Sequence, residues 1–188
     1  MMNRETNALL KAKNLFGHEQ AQQWVDNLIK KRRLPHALLL SGPEGIGKAS
    51  FAHHLAWQLL ATGDKEENQA LWQQLQENSC RNFLAVLDTA ATSKKGIGVN
   101  DIQKITNFLN YTALDANWRI VLIDSVDALN KNAANALLKT LEEPPKNTLF
   151  LLISHYPGRL LATLRSRAVN LPLFPLSEKQ LLKALENA

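Results

Sequence analysis

Short apolar runs alternate with longer amphipathic stretches along the chain. Four runs bounded by Pro, Gly, Asn or Asp predict buried strands, at residues 37–40, 82–89, 119–124 and 147–157. Residues 158–173 predict a short helix followed by an edge strand. Strands that alternate with helices indicate an α/β fold, so we expect a five-stranded parallel sheet between two layers of helices.

The stretches between the strands carry apolar residues at helical spacing. Residues 19–32 predict a helix with Trp24, Leu28 and Ile29 facing inward. A second predicted helix is capped near Asn100 and buries Ile102, Ile105, Phe108 and Leu109. The remaining predictions are a helix at about 48–60, an exposed helix or loop at 62–82, a helix stopped by Pro144-Pro145 and a last helix capped by Ser177.

Composition excludes some function classes and leaves others open. The 188 residues carry a net charge of +5, which permits a nucleic-acid or nucleotide partner without requiring one. The single cysteine, Cys80, cannot build a disulfide framework or a four-cysteine zinc site. No apolar run approaches the ~18 residues of a membrane helix, so we expect a cytoplasmic protein with no membrane partner.

The stretch GPEGIGKAS joins the first strand to the following helix, which is the context that a phosphate-binding loop requires. Backbone N–H groups of such a loop cradle phosphate, and Lys48 would reach the terminal phosphates. Ala49 stands where a hydroxyl would bind Mg²⁺, and Ser50 lies ~100° further around the helix. The predicted nucleotide-binding residues of the loop are Gly42, Pro43, Glu44, Gly45, Ile46, Gly47, Lys48, Ala49 and Ser50.

A second candidate site residue, Asp124, ends the third strand. A carboxylate at this place helps to hold Mg²⁺ in P-loop enzymes. Active ATPases of this type continue with a Glu, whereas Ser125 follows here and its hydroxyl is a poor base at neutral pH. Asp127 belongs to the next turn. The alternative is that Asp124 only caps a neighbouring loop.

Several longer motifs resemble the bacterial clamp-loader subunits of the AAA+ class. The strongest is NALLKTLEEPP at residues 135–145, and RLLATLRSR at residues 159–167 is most similar to the delta-prime type. Three other segments fit the same family in the same order, and the resemblance covers residues 15–175. These segments are FGHEQAQ (16–22), RLPHALLLSGPEGIGK (33–48) and IGVNDIQKITNFLN (97–110).

The resemblance implies a role in a five-subunit assembly that opens the sliding clamp and closes it on primed DNA. ATP lies between neighbouring subunits there, and the family's Ser-Arg-Cys motif supplies an arginine to the adjacent site. The motif stands here as Ser166-Arg167-Ala168, so Arg167 is the expected arginine finger. His155 takes the position of a γ-phosphate sensor that is Thr or Asn in active relatives.

The resemblance also bears on cofactors, partners and domains. We expect weak ATP or ADP binding, Mg²⁺ only with nucleotide, and no zinc, because residues 61–82 hold one cysteine where relatives carry four. The expected partners are gamma/tau and delta subunits, and through them the clamp and primed DNA. We expect an AAA+ domain at residues 1–175 and the first lid helix at 176–188, with the rest of the lid and the collar absent. A shortened natural form and a truncated chain both remain open.

Three functions remain as alternatives at this point. A delta-prime-type subunit of the DNA polymerase III holoenzyme, a nucleotidyltransferase, would lend Arg167 to a neighbour and hydrolyse little or no ATP itself. An active gamma/tau-type motor predicts Ser or Thr at position 49, Glu at position 125 and the zinc cysteines, none of which is present. A free-standing P-loop ATPase or kinase would not account for NALLKTLEEPP or LRSR.

Overall fold

The structure is a computed structural model that describes residues 15, 17–62, 64–88, 96–110 and 118–186. Strands and helices alternate throughout the described part. The five strands are β1 (Ala37–Ser41), β2 (Phe83–Leu87), β3 (Arg119–Asp124), β4 (Thr148–Ser154) and β5 (Val169–Pro172). The helices are α1 (Glu19–Lys30), α2 (Lys48–Leu60), α3 (Lys65–Gln76), α4 (Val99–Asn110), α5 (Lys131–Glu142), α6 (Ala162–Arg165) and α7 (Glu178–Glu186).

The five strands form one sheet in the order β2-β3-β4-β1-β5, and every neighbouring pair is parallel. The predicted α/β fold is therefore confirmed, and β5 is an edge strand as expected. Since all strands run the same way, the carboxyl ends of β1, β3 and β4 meet at one edge of the sheet. Loops that follow these ends are the usual place for a ligand in such sheets.

The sheet buries a hydrophobic core on each of its faces. Successive residues of a strand point to opposite faces, and in β1 Leu38 and Leu40 join one core while Leu39 joins the other. The first core continues into α1, α2 and α3, for example through Phe51. The second continues into α4 and α5, for example through Ile105. This two-sided burial explains why the strands read as continuous apolar runs.

Two helix predictions need correction. Trp24 was predicted to face inward, but it is 38% exposed, whereas Val25 is 1% exposed and centres the buried stripe of α1. Adjacent residues lie ~100° apart around a helix, so the large Trp24 side chain falls on the flank. The helix start predicted near Asn100 moves by one residue, since α4 begins at Val99 and the Asp101 carboxylate accepts a hydrogen bond from the Gly98 N–H at 3.1 Å.

Within the segment at residues 62–82, predicted as an exposed helix or loop, Lys65–Gln76 form helix α3. The Asp64 side chain caps α3 by accepting hydrogen bonds from the N–H groups of Glu66 and Glu67. α3 buries Trp72, whose ring meets Trp57 of α2 edge to face at 6.3 Å between centroids. An aromatic contact thus fastens α3 to the body of the domain.

The last helix, α7, contacts the short segment that precedes α1. Ser177 caps α7 as predicted: its hydroxyl accepts from the Gln180 N–H at 3.4 Å, and Gln180 Oε1 accepts from the Ser177 N–H at 2.9 Å. Gln180 Nε2 also donates to the Glu19 carboxylate at 2.9 Å. A Cβ added at Gly17 would lie 2.1 Å from Leu176 Cδ2, so the two segments touch. The division at residues 175 and 176 stays a prediction.

Candidate functional site

The glycine loop between β1 and α2 has the backbone shape of a phosphate cradle. Gly42, Gly45 and Gly47 have φ values of 151°, 79° and 94°, which L side chains rarely adopt. Gly47 precedes α2, and no side chain caps that helix start, so the first N–H groups of α2 have no side-chain acceptor. This arrangement of helix start and glycine turn suits an anion. Gly42 is also pressed against Leu173, whose carbonyl oxygen would lie 2.4 Å from an added Cβ.

Lys48 is held by its own loop. Its Nζ donates to the carbonyl oxygens of Gly42 at 2.8 Å and Pro43 at 2.5 Å, and the residue is only 3% exposed. Burial lowers the pKa of the Lys48 ammonium, and the charges of Asp124, Asp127 and Glu44 partly oppose that shift. The lysine therefore closes the loop on itself, and a phosphate would have to draw it away from these carbonyls.

Position 49 offers no metal ligand from its side chain. Ala49 is the second residue of α2 and is half-buried against the core, and its backbone carbonyl accepts a hydrogen bond from His53 Nδ1 at 2.9 Å. Ser50 is half-buried as well. The hydroxyl that would bind Mg²⁺ in an active loop is thus replaced by a methyl group.

Asp124 ends β3 at the same sheet edge as the loop. Burial raises the pKa of its carboxyl group, and the nearby His155 and Lys48 lower it. Ser125, which follows, is 7% exposed. Lys48 and His155 therefore act electrostatically on Asp124 at this sheet edge, while their assignment to a nucleotide site stays a prediction.

Asp127 holds the end of β4, a role that the sequence does not predict. It lies on a single 3₁₀ turn, Val126–Ala128, and its two carboxylate oxygens accept from the Ser154 hydroxyl at 2.8 Å and the His155 N–H at 2.5 Å. His155 itself follows β4 directly, and its buried Nδ1 has no hydrogen-bond partner among the described residues. Asp127 thus fixes the end of β4, where the predicted sensor lies.

His18 is a second residue to which the sequence pattern assigns no role. Its Nε2 lies 2.9 Å from the Ile46 carbonyl oxygen, and its ring meets Phe51 edge to face. The backbone of His18 is left-handed, with φ of 58°. The segment FGHEQAQ contains His18, so the motif pointed to the right place, while Phe16 of that motif lies outside the described residues.

Arg167 lies on the turn between α6 and β5, apart from the loop. Its Nη1 donates to the Thr163 carbonyl oxygen at 2.9 Å, and its Nη2 donates to Glu142 Oε1 at 2.5 Å. The Arg167 side chain is 32% exposed. The hydrogen bonds of the Arg167 guanidinium therefore join it to α5 and α6, and among the described residues it makes none to Lys48, Asp124 or His155.

The described residues contain neither a metal-binding cluster nor a membrane-spanning helix. No group of three or more His, Cys, Asp or Glu side chains there could hold a metal ion. Across residues 15–186, leaving out the undescribed gaps, no helix is long and apolar enough to span a bilayer. Burial raises the pKa of the Cys80 thiol, which is half-buried.

The sequence that carries these site residues matches a known protein family. A family model described as "DNA polymerase III, delta subunit" matches residues 17–177, a range that includes the loop, Asp124, His155 and Arg167. The chain belongs to this family. The resemblance to clamp-loader subunits of the AAA+ class is therefore confirmed.

Curated relatives of the clamp-loader chain fall into two types. The delta-prime subunit of DNA polymerase III from Pseudomonas aeruginosa is 42% identical over 139 residues, which are 71% of this chain and 42% of that protein. The tau subunit from Escherichia coli is 31% identical over 175 residues, which are 93% of this chain and 27% of that protein. The chain spans less than half the length of these relatives, and both types match it.

Solved structures share the fold at low identity. A DNA polymerase III gamma-subunit-related protein from Thermotoga maritima is 19% identical with a TM-score of 0.59, covering 87% of this chain and 54% of that one. The RuvB Holliday junction branch migration motor from the same organism is 21% identical with a TM-score of 0.61, covering 95% and 53%. These matches confirm the expected AAA+ P-loop fold.

Proposed function

We propose that this clamp-loader family member works as a delta-prime-type subunit, which helps to load the sliding clamp on primed DNA and hydrolyses little ATP itself. The observation that carries the proposal is the methyl group of Ala49 in a loop whose backbone is otherwise shaped for phosphate. P-loop enzymes hold Mg²⁺ with the hydroxyl at this place. Without it, Asp124 is the only ligand of the usual pair.

Water activation is equally poorly supplied. Ser125 stands where active relatives carry a Glu, and a serine hydroxyl does not take a proton from water at neutral pH. The Asp127 carboxylate is instead held at the end of β4 by hydrogen bonds from the Ser154 hydroxyl and the His155 N–H. The described residues at this edge therefore support binding of a phosphate better than its transfer.

ATP or ADP would bind weakly in this reading, with Mg²⁺ only alongside the nucleotide. The N–H groups of the loop at residues 42–49 would hold the phosphates, and Lys48 would move from the Gly42 and Pro43 carbonyls to meet them. That exchange costs two hydrogen bonds of a buried ammonium. Bound ATP would be hydrolysed only where a side-chain hydroxyl binds Mg²⁺ and a base activates the attacking water.

Arg167 is the residue we propose to act on a neighbour's ATP. An arginine supplied in trans stabilises the charge that develops on the γ-phosphate and can be worth about 10³–10⁵ in rate. Arg167 is partly exposed on the family's Ser-Arg segment. Its guanidinium donates to α6 and makes no described hydrogen bond to the glycine loop of the same chain. Partners in this reading are gamma/tau and delta subunits in the cytoplasm, with the clamp and DNA reached through the assembly.

An active gamma/tau-type ATPase is the second candidate, since gamma and tau proteins match 92–93% of the chain. Turnover by the isolated full-length subunit, measured with and without Mg²⁺, separates the two. We expect weak binding of a fluorescent ATP analogue and negligible Mg²⁺-dependent hydrolysis. Robust hydrolysis would favour the gamma/tau type.

The finger is tested in a loader reconstituted from full-length subunits. We expect Arg167→Ala to lower DNA-stimulated ATP turnover by about 10³-fold at the site it serves. Arg165→Ala, which removes an exposed arginine of α6 two positions away, is the matched control and should leave turnover near the parent value. Equal effects of the two substitutions would sink the assignment.

A further inference from the structure

The Arg167 guanidinium is anchored to two different elements. Nη1 donates to the carbonyl oxygen of Thr163 on α6, and Nη2 donates to Glu142 Oε1 at the last residue of α5. Glu142 lies in the NALLKTLEEPP motif, which the nucleotide chemistry described above does not use. The hydrogen bond from Arg167 to Glu142 thus links the NALLKTLEEPP motif to the proposed arginine finger.

The two anchors leave the guanidinium able to bind an incoming group. A guanidinium has five N–H donors, and each anchor needs one. Nη1 also lies 3.5 Å from the Ser166 hydroxyl oxygen, so the Nε–H and one Nη2 N–H remain to donate to phosphate oxygens. The Arg167 and Glu142 side chains are 32% and 48% exposed, so a neighbouring subunit can reach them.

We propose that Glu142 is a positioning residue for Arg167: it fixes the guanidinium before the neighbour's ATP arrives. This inference rests on the proposed function of Arg167 as a finger. A free arginine side chain loses much rotamer freedom when it is fixed, and Glu142 and Thr163 impose that order in advance. Ordered in this way, the finger meets the phosphate in the transition state without first having to search for its geometry.

Stability and turnover separate this role from that of an ordinary surface ion pair. Exposed ion pairs contribute little to folding stability, so losing Glu142 should hardly change the thermal unfolding of the subunit. Glu143 provides the matched control. It is the adjacent residue of the same motif, is exposed, and makes no hydrogen bond or ion pair within the described residues.

The experiment uses the reconstituted full-length loader and measures kcat and KM for ATP with primed DNA. We expect Glu142→Ala to lower kcat about three- to tenfold with an unchanged KM, because the finger acts in the transition state. Glu142→Gln keeps a carbonyl oxygen that can accept from Nη2 and should restore most of the turnover. Glu143→Ala should match the parent complex, and all three variants should unfold at the parent temperature.

Each other outcome overturns the positioning role. If Glu142→Ala behaves like Glu143→Ala, the carboxylate does not order the finger. If Glu142→Ala raises turnover, the carboxylate restrains Arg167 instead of presenting it. Arg167→Ala in the same assay reports on the finger itself: a loss there with none in Glu142→Ala leaves the proposed function standing, and no loss in either removes both.

Discussion

At the scale of single residues, the Asp127 carboxylate joins the turn after β3 to the end of β4. Ser154 is fully buried, and its hydroxyl donates to Asp127. We expect Asp127→Ala to lower the free energy of unfolding by about 1–3 kcal/mol, because it leaves the Ser154 hydroxyl and the His155 N–H without an acceptor. Urea unfolding monitored by tryptophan fluorescence measures this change.

Ser154→Ala is the matched partner of that substitution. It removes one donor and leaves Asp127 with the His155 N–H, so a smaller loss of about 1 kcal/mol is expected. In the double variant the two losses should not add, since both remove the same hydrogen bond. Full additivity would show that the contact contributes nothing.

His53 gives the fold a pH dependence. Burial lowers the pKa of its imidazole below the ordinary value near 6.5, and a hydrogen bond to the Ala49 carbonyl opposes the shift. The unfolded chain therefore binds more protons below pH ~6.5, and stability present above that pH is lost as the pH falls towards the lower folded value. We expect the free energy of unfolding to decrease between pH 7.5 and pH 5.

His53→Gln should flatten this profile over the same range. Some slope should remain, because burial lowers the pKa of the adjacent His54 too. His36→Gln, which replaces an exposed histidine, controls for the loss of a histidine elsewhere in the chain. A His53→Gln profile as steep as the parent's would show that His53 does not carry the effect.

Residues whose roles depend on local sequence were the ones that could be predicted. Lys48 and Asp124 were placed at one sheet edge because a strand, a glycine turn and a helix occur in order. The contacts made by Asp127, His18 and Glu142 were not predicted, because each residue contacts a partner at least 25 positions away. Periodicity within a window carries no information about such partners.

At the scale of elements, two glycines of the loop between β1 and α2 differ in the space around them. Gly45 has φ of 79° and open space around an added Cβ, so Gly45→Ala should cost only the ~1–2 kcal/mol of a left-handed backbone. Gly42→Ala would in addition drive a Cβ against the Leu173 carbonyl oxygen and should cost a further ~1–3 kcal/mol. Urea midpoints compare them, and equal losses would contradict the packing account.

Helix α3 is held by aromatic packing. We expect Trp72→Ala to cost about 3–5 kcal/mol, because the 7%-exposed ring packs edge to face on Trp57. Trp24→Ala removes a 38%-exposed ring and should cost about 0.5 kcal/mol or less. No described group of side chains could hold a metal ion, so a chelator should leave the melting temperature unchanged. A lower melting temperature after chelation would show that a bound metal stabilises the fold.

Element types were easier to predict than their phases and neighbours. The strands were identified because two-sided burial makes them continuously apolar, and α5 because Pro144-Pro145 ends it. The phase of α1 was misjudged at Trp24, since a large apolar ring on the flank has the same spacing as one in the core. The position of β1 between β4 and β5 could not be read from the pattern, which does not encode strand partners.

At the scale of the whole molecule, residues 17–19 connect the glycine loop with α7. His18 touches Ile46 on one side, while Gly17 and Glu19 touch Leu176 and Gln180 on the other. We expect His18→Asn, which tolerates the left-handed backbone but cannot reach Ile46, to speed hydrogen exchange of the loop amides about fivefold, the value of one ~1 kcal/mol hydrogen bond.

Gln180→Ala is the control for that exchange experiment. It releases α7 from Glu19 and should speed exchange in α7 while leaving the loop amides close to the parent rates. The two variants thus act on opposite ends of the same connection. Identical exchange patterns in both would mean that residues 17–19 move as one unit with the loop and α7.

The strand order also bears on how the chain folds during synthesis. β1 precedes the other described strands in the chain, yet Ala37 pairs with Phe150 and Leu38 with Val169. At about 5–20 residues per second, a ribosome needs on the order of 5–20 s to deliver β4 after β1. Throughout that interval the apolar stretch Ala37–Leu40 has neither neighbour in place, so the nascent chain offers a binding segment to chaperones until β4 emerges.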